Sequence, residues 1–330
     1  MKKYLRKCGR WTDIIPVAVI FSVLLAAGGS LISAFLERVI PVTKLLDLLT
    51  GDPDVSAFMQ MYLSTIGVWI VVLPIVLLVK HLRPMKQALG PNRRGNTLKG
   101  ALIGLGLGFG ANGLCAGISL LSGDIKLSWA EFRPLVLLAF LLFVMIQSGS
   151  EELIDRLYLY QKLRRRYRNP WTAILVNSLA FMAMHVFNPG FTLLAGLQIF
   201  AVGLVFSLLV YYYDSLWAAI TFHTAWNFTQ NILFGLPNSG IVSAYSLFRL
   251  EAASARNGMF YNVDFGIEGS IGASLILILI AAGIILINRK RSERKDIWEE
   301  AEADAASRCP RCGAVLKEED LFCPRCGQKR

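Results

Sequence analysis

Charge is what this sequence has least of. Asp, Glu, Lys and Arg make up only 17% of its residues, against about 25% in an ordinary soluble domain. The shortfall is uneven: apolar runs long enough to cross a bilayer alternate with short charged segments, and mean hydropathy is +0.51. A soluble globular body is therefore excluded for most of the chain. Backbone that crosses lipid must satisfy its own hydrogen bonds, which selects helices. Histidine is scarce as well, with only His81, His185 and His223, and His81 sits in a basic loop. No HExxH occurs, and no serine or cysteine stands in a nucleophile motif. Cysteine is sparse until the end, with only Cys8 and Cys115 before Cys309. That excludes a disulfide framework and fits a reducing compartment. No cleavable leader is expected either. The first apolar run begins after Asp13, outlasts signal-peptide length and has no A-x-A-like end, so it is expected to remain as an anchor. The net charge of +11 does not point to nucleic acid, because the basic residues sit in the connections between apolar runs.

What is there is a series of candidate spans. Crossing ~30 Å of hydrocarbon takes about 20 residues, and by that measure the apolar runs read as about eight transmembrane helices. They fall at roughly 14–36, 58–79, 98–121, 134–160, 171–187, 191–212, 215–234 and 267–287. The third is rich in glycine (Gly100, Gly104, Gly106, Gly108, Gly110 and Gly113) and is expected to pack closely on its neighbours. Lysine and arginine crowd at the N-terminus, after the second span, after the fourth (Lys162, Arg164, Arg165, Arg166, Arg168) and after the eighth. The intervening loops are near neutral or slightly acidic, so the positive-inside rule puts both termini in the cytoplasm. The expected fold is an all-α polytopic membrane domain over residues 1–290, an acidic, charged linker over 291–307 and a small module over 308–330.

An ionisable group inside a span costs ~2.5–3.5 kcal/mol on insertion scales, which makes each one a functional candidate. The fourth span carries Gln147, Ser148, Ser150, Glu151, Glu152, Asp155 and Arg156; the fifth carries Asn177, Ser178 and His185; the seventh carries His223 and Asn227. The first, second, sixth and eighth are read as having essentially none. Glu152 and Arg156 are spaced to pair on one helix face, while Glu151 and Asp155 share another, where like charges favour protonating one. Phe181 with His185, and His223 with Asn227, are spaced likewise. From helix rise, Glu151 lies ~16 Å from Lys162, His185 ~21 Å from Trp171, and His223 and Asn227 ~13 and ~19 Å from Asp214. All four fall in one band toward the middle of the membrane. A carboxylate in low dielectric suits a general base, and a histidine can share its water or protonate a leaving group. A second histidine with an asparagine can stabilise an oxyanion. Hydrolysis by activated water is preferred over a covalent route. Polar pairs also hold membrane helices together, so a non-catalytic scaffold is the competing reading. No inverted repeat of broken segments suggests a transporter.

EExxxR runs from Glu151 to Arg156, FxxxH from Phe181 to His185, and HxxxN from His223 to Asn227. In this order on hydrophobic segments, over roughly residues 130–235, they resemble the CAAX protease and bacteriocin-processing (CPBP, or Abi) family of intramembrane proteases. The resemblance implies a multi-helix core and an endopeptidase that acts on a membrane-associated peptide or protein amid membrane lipid. It implies Glu151 as the water-activating base with His185, and an oxyanion role for His223 and Asn227. Glu152 joins the catalytic set through the paired-glutamate motif, with Arg156 and Phe181 in support. The family is described both as metalloprotease and as metal-independent glutamate protease. Glu151, His185 and His223 would also make a three-ligand zinc site with an open position, so a catalytic metal stays open, the missing HExxH favouring a metal-free route. Many members follow the arginine with glycine and precede it with an aromatic, where this chain has Leu157 and Asp155. A bacteriocin-immunity-type protein with a structural polar cluster is the non-enzymatic alternative.

The C-terminal module carries a separate signal. CPRCG occurs at Cys309 to Gly313 and again at Cys323 to Gly327. Each is a zinc knuckle whose glycine permits the turn that points backbone amides at thiolate sulfur. Cys309, Cys312, Cys323 and Cys326 would give tetrahedral zinc with no open position, a structural site. The residues between the knuckles are expected as a short hairpin, and so small a module depends on its metal to fold. It reads as a membrane-proximal adapter for a cytoplasmic partner, with no nucleic acid expected despite Arg311, Arg325, Lys329 and Arg330.

Overall fold

The computed structural model describes residues 5, 8–92, 95–289, 297–309, 311–316 and 320–329. Parts of the basic clusters (2–3, 6–7, 93–94, 290–291 and 294–295), linker residues 291–296, Pro310 of the first knuckle, hairpin residues 317–319 and Arg330 lie outside the described residues.

Within them the chain is mostly helical. A short 3₁₀ turn at Trp11–Asp13 leads into α1 (Ile15–Val39). Helix α2 (Val42–Thr50) stops at Gly51, whose φ of +64° only glycine adopts freely. Asp52 then caps α3 (Pro53–Leu63) by accepting from the backbone of Asp54 and Val55, with Pro53 in the first turn. Helices α4 (Ile66–Leu78), α5 (Met85–Leu89) and α6 (Leu98–Leu121) follow. Helix α7 (Pro134–Glu152) passes through a π segment, Leu153–Leu159, into α8 (Tyr160–Arg166). Then come α9 (Pro170–Met184), α10 (Leu193–Tyr213) and α11 (Leu216–Asn227), the last continued by a second π segment, Phe228–Leu233. Helix α12 (Ile271–Asn288) ends the bundle, and α13 (Ile297–Ala306) falls within the charged linker. The all-helical expectation has one exception. β1 (Leu127–Trp129) pairs antiparallel with β2 (Phe248–Leu250), tying the α6–α7 connection to the one between α11 and α12.

Among the described residues, six helices are long and apolar enough to cross a membrane: Ile15–Val39, Pro53–Leu78, Leu98–Leu121, Pro134–Arg166, Leu193–Tyr213 and Ile271–Asn288. They make this an integral multi-pass membrane protein. The two further spans expected at 171–187 and 215–234 are not among the six. The first is the shorter apolar helix Pro170–Met184, and the second is broken into α11 and the π segment.

Helix α10 is the centre of the bundle, with 72% of its apolar window buried against 17% for α1. It packs on α9, α11 and α12. The glycines of α6 divide by face. A Cβ on Gly104 or Gly108 would stand 2.3 Å from the carbonyl oxygen of Ala218 or Phe222, so α6 lies backbone to backbone on α11. Gly106, Gly110 and Gly113 face open space. This close seat fixes α11, which carries two of the candidate site residues. The linker helix α13 is docked as well: Ile297 and Trp298 are buried with Leu82 and Met85, and the Arg165 guanidinium lies 5.2 Å from the Trp298 ring.

Candidate active site

Glu151, His185, His223 and Asn227 line one cavity of about 430 Å³, with Phe181 in its wall. Each stands near the end of a helix. Glu151 and Glu152 close α7, just before the first π segment. Asn227 closes α11, just before the second. π turns inside helices gather at functional sites because the extra residue re-aims side chains and frees backbone groups. The α9 helix ends at Met184, one residue before His185.

That helix end explains the FxxxH spacing. The last carbonyls of a helix lack intrahelical partners. Four residues on, the His185 ring reaches back so that Nδ1 lies 2.7 Å from the Phe181 carbonyl oxygen. A carbonyl only accepts, so Nδ1 carries the proton and Nε2 of the neutral ring is left as an acceptor facing the cavity. His223 is held the same way by another group. Its Nδ1 lies 3.0 Å from Glu152 Oε1, again leaving Nε2 toward the cavity. Glu152 Oε1 also accepts from Arg156 Nη1 at 3.1 Å, and Arg156 Nη2 donates to the Gly203 carbonyl at 3.2 Å. Glu152 and Arg156 are fully buried, a state that charged groups keep only when paired. The Arg156 guanidinium is sandwiched over Phe181 at 4.4 Å and Phe206 at 5.1 Å. Phe206 stacks on the His223 ring, and Phe181 packs against both histidines. Phe181 is thus a wedge between the arginine and the two imidazoles.

The two Nε2 atoms meet at one oxygen. Glu151 Oε2 is 3.8 Å from His185 Nε2 and 3.8 Å from His223 Nε2, and it has no hydrogen-bond partner among the described residues. Its other oxygen accepts from Gln147 Nε2. Asn227 Nδ2 donates to Gln147 Oε1 at 3.3 Å, which links the HxxxN asparagine to the glutamate across two helices. Asp155 does not join Glu151. It is buried, its Oδ1 lies 3.4 Å from Asn177 Nδ2 on α9, and it does not line the cavity.

Several polar groups at the cavity lie outside the set expected from the sequence, among them Gln198 on the sixth span, Gln147, Asn238 and Glu268. Gln147 lies one helical turn before Glu151 on α7 and so shares its face. Asn238 comes from a loop and carried no helical spacing to mark it. Glu268 corrects the reading of the eighth span as free of ionisable groups. The helix begins at Ile271, and Glu268 sits in the 3₁₀ turn Ile267–Gly269 before it, buried against the cavity. Helix-period reasoning is blind to such a residue, and the signal available was a lone acid at the mouth of an apolar run.

The C-terminal cysteines form a second site. Cys309 Sγ lies 3.5 Å from Cys326 Sγ, and Cys312 Sγ 3.5 Å from Cys323 Sγ. All four sulfurs lie within 4.8 Å of one another. Zn–S bonds of ~2.3 Å in a tetrahedron require sulfurs ~3.8 Å apart, so the set fits zinc. Gly313 (φ +71°) and Gly327 (φ +70°) make the two knuckle turns. Against desolvation, the backbone N–H groups of Cys312 and Arg311 aimed at the Cys309 sulfur hold its thiol below the ordinary value. Among the described residues these cysteines are the only set of three or more possible ligands gathered that tightly. Glu151 Oε2 stands 3.8 Å from each of the two Nε2 atoms, against ~3.4 Å between donors on a tetrahedral zinc with bonds of ~2.1 Å.

Residues 133–229 match the family described as type II CAAX prenyl endopeptidase Rce1-like. Residues 308–329 match the zinc-ribbon domain. No curated protein matches the chain. The first match takes in α7 to the start of the second π segment, and therefore Glu151, Glu152, Arg156, Phe181, His185, His223 and Asn227; it ends before Asn238 and Glu268. The membrane bundle thus carries an Rce1-like CAAX protease domain at residues 133–229, and the chain ends in a zinc-ribbon domain at 308–329.

Proposed function

We propose that the protein is an intramembrane endopeptidase that cleaves a membrane-associated peptide with water activated by Glu151. The observation that carries this reading is the single carboxylate oxygen set 3.8 Å from two imidazole Nε2 atoms. That separation is too long for a direct hydrogen bond and suits one bridging water. In the reaction, Glu151 takes a proton from the water as its oxygen attacks the scissile carbonyl carbon. His185 Nε2 accepts the water's second hydrogen bond. Asn227 N–H faces the developing oxyanion, and His223 adds an Nε2–H donor there only when its ring is protonated at both nitrogens. The proton held by Glu151 then passes to the departing amine as the C–N bond breaks, leaving a carboxylic acid and an amine. These side chains and one water suffice for every step. The basic connections support both termini in the cytoplasm, with cleavage toward that side and the ribbon available to a cytoplasmic partner. The prenylated substrate class named in the matched family's description is the first to try.

Comparative proteomics of peptide termini tests the reading in cells carrying the wild-type or the Glu151→Gln protein. New termini that depend on Glu151 are expected. Identical termini in both, with Glu151→Gln instead losing thermal stability in detergent, would favour the non-catalytic scaffold.

A further inference from the structure

The loop between α11 and α12 supplies part of the cavity wall, and its contacts form a directed chain. Glu268 is 6% exposed and receives four hydrogen bonds. Its Oε1 accepts from Trp226 Nε1 at 3.2 Å and from Asn238 Nδ2 at 3.1 Å. Its Oε2 accepts from the Ser239 backbone N–H at 2.7 Å and from Ser239 Oγ at 2.8 Å. Asn238 Nδ2 donates in addition to Asn227 Oδ1 at 3.3 Å. From there the chain runs through Asn227 Nδ2 to Gln147 Oε1, and through Gln147 Nε2 to Glu151.

The polarity of this chain is set by its ends. A carboxylate accepts, so Gln147 must turn its N–H₂ to Glu151 and its carbonyl to Asn227. Asn238 must likewise turn its N–H₂ to Glu268, which offers the same donor to the Asn227 carbonyl. Both constraints give the Asn227 amide one orientation: carbonyl toward the loop, N–H₂ toward Gln147 and the cavity. The loop is held rigidly enough to impose this. Ser239 has a left-handed φ of +48°, a strained state for a residue with a side chain, and Glu268 clasps it from two sides. The next residue, Gly240 (φ +82°), passes so near the Pro189 carbonyl that a Cβ would lie 2.0 Å from it, which ties the turn to the segment after His185.

We propose that Glu268, acting through Asn238, is a positioning residue that fixes the Asn227 amide with its N–H toward the reacting carbonyl. The assignment rests on the protease reading above. Without Glu268, the Gln147 carbonyl alone holds the Asn227 amide, and a flip that turns its oxygen to the oxyanion becomes less costly.

The test uses purified full-length protein and a donor–quencher peptide spanning a Glu151-dependent cut site from the terminal proteomics. Glu268→Gln keeps the shape but places a donor among donors. It should lower kcat about 10- to 100-fold, less than the ~10²–10³-fold of deleting an oxyanion donor outright, with KM changed by no more than about twofold. Glu268→Asp, which keeps the carboxylate, should recover much of the rate. On an Asn227→Ala background Glu268→Gln should cost almost nothing further, because the group it orients is gone. Asn238→Leu should reproduce the Glu268→Gln loss at unchanged thermal stability. A wild-type kcat in Glu268→Gln beside an inactive Glu151→Gln would overturn the assignment alone. So would a loss that multiplies fully on the Asn227→Ala background. Equal cleavage by wild type and Glu151→Gln would overturn the protease reading itself.

Discussion

Two buried clusters of charge lie on the same long span, Pro134–Arg166, and they are built to opposite ends. Near its end, Asp13 is gripped by Arg165 and Lys162. Asp13 Oδ2 accepts from the Arg10 backbone at 2.9 Å and from Arg165 Nε at 2.6 Å, while Oδ1 accepts from Arg165 Nη2 and lies 3.4 Å from Lys162 Nζ. Arg165 Nη1 goes on to the His81 carbonyl at 3.0 Å. Both oxygens of this carboxylate are occupied. Earlier on the span, Glu151 Oε2 and Glu152 Oε2 have no hydrogen-bond partner among the described residues, and Glu151 faces a cavity. Burial of charge is common to both clusters and so distinguishes nothing. The difference is an open acceptor aimed into a space that a peptide bond and a water could share.

The contrast can be broken or sharpened by substitution. The largest effect is expected at Glu151→Gln: loss of a general base should lower kcat by ~10²–10⁴-fold, with thermal stability in detergent close to wild type. Glu152→Ala removes the partner of both Arg156 and His223. Leaving Arg156 buried and unpaired should cost ~3–5 kcal/mol in unfolding experiments, with cleavage falling as well. Asp13→Asn at the closed cluster should lower stability through the same mechanism, by up to ~3–5 kcal/mol, while the kcat of the folded fraction is unchanged. A fall in kcat there would erase the distinction between the two clusters.

A smaller effect reads the closed cluster by pH. Desolvation opposes the Asp13 carboxylate, yet hydrogen bonds from Arg165 and the Arg10 backbone, with the Arg165 and Lys162 charges, outweigh it and hold its carboxyl below the usual 3.8. A carboxyl depressed in the folded state contributes stability above its unfolded pKa and loses it as pH falls through the folded value. The stability gap between wild type and Asp13→Asn should therefore be flat from neutral pH to about 4 and close below it. The smallest effect on cleavage is expected at the ribbon. Cys323→Ser should abolish its zinc, measured by elemental analysis, and leave the kcat of the membrane domain unaltered.

Much of this was legible because some signals are local. Paired CPRCG motifs bring four sulfurs together through two short turns, and nothing distant has to be right. The membrane site was legible in part: EExxxR, FxxxH and HxxxN mark side chains that the fold brings to one cavity, and intramembrane polarity picked them out. What helix spacing did not convey was where the helices stop. His185 lies beyond the last residue of α9 because its ring caps the Phe181 carbonyl, and the run at 215–234 breaks into a π segment after Asn227. Glu268 and Asn238 reach the site from a loop whose path depends on long-range contacts, including the close passage of Gly240 over Pro189. Asp13 was read only as the edge of the first span, since its partners stand far along the chain.

The claim at the centre is that Glu151 activates the attacking water. Its most direct test is the cleavage rate of purified, folded Glu151→Gln protein on the peptide that the wild type cuts. The account predicts a rate at least ~10²-fold below wild type at an unchanged melting temperature. Cleavage at the wild-type rate would contradict it.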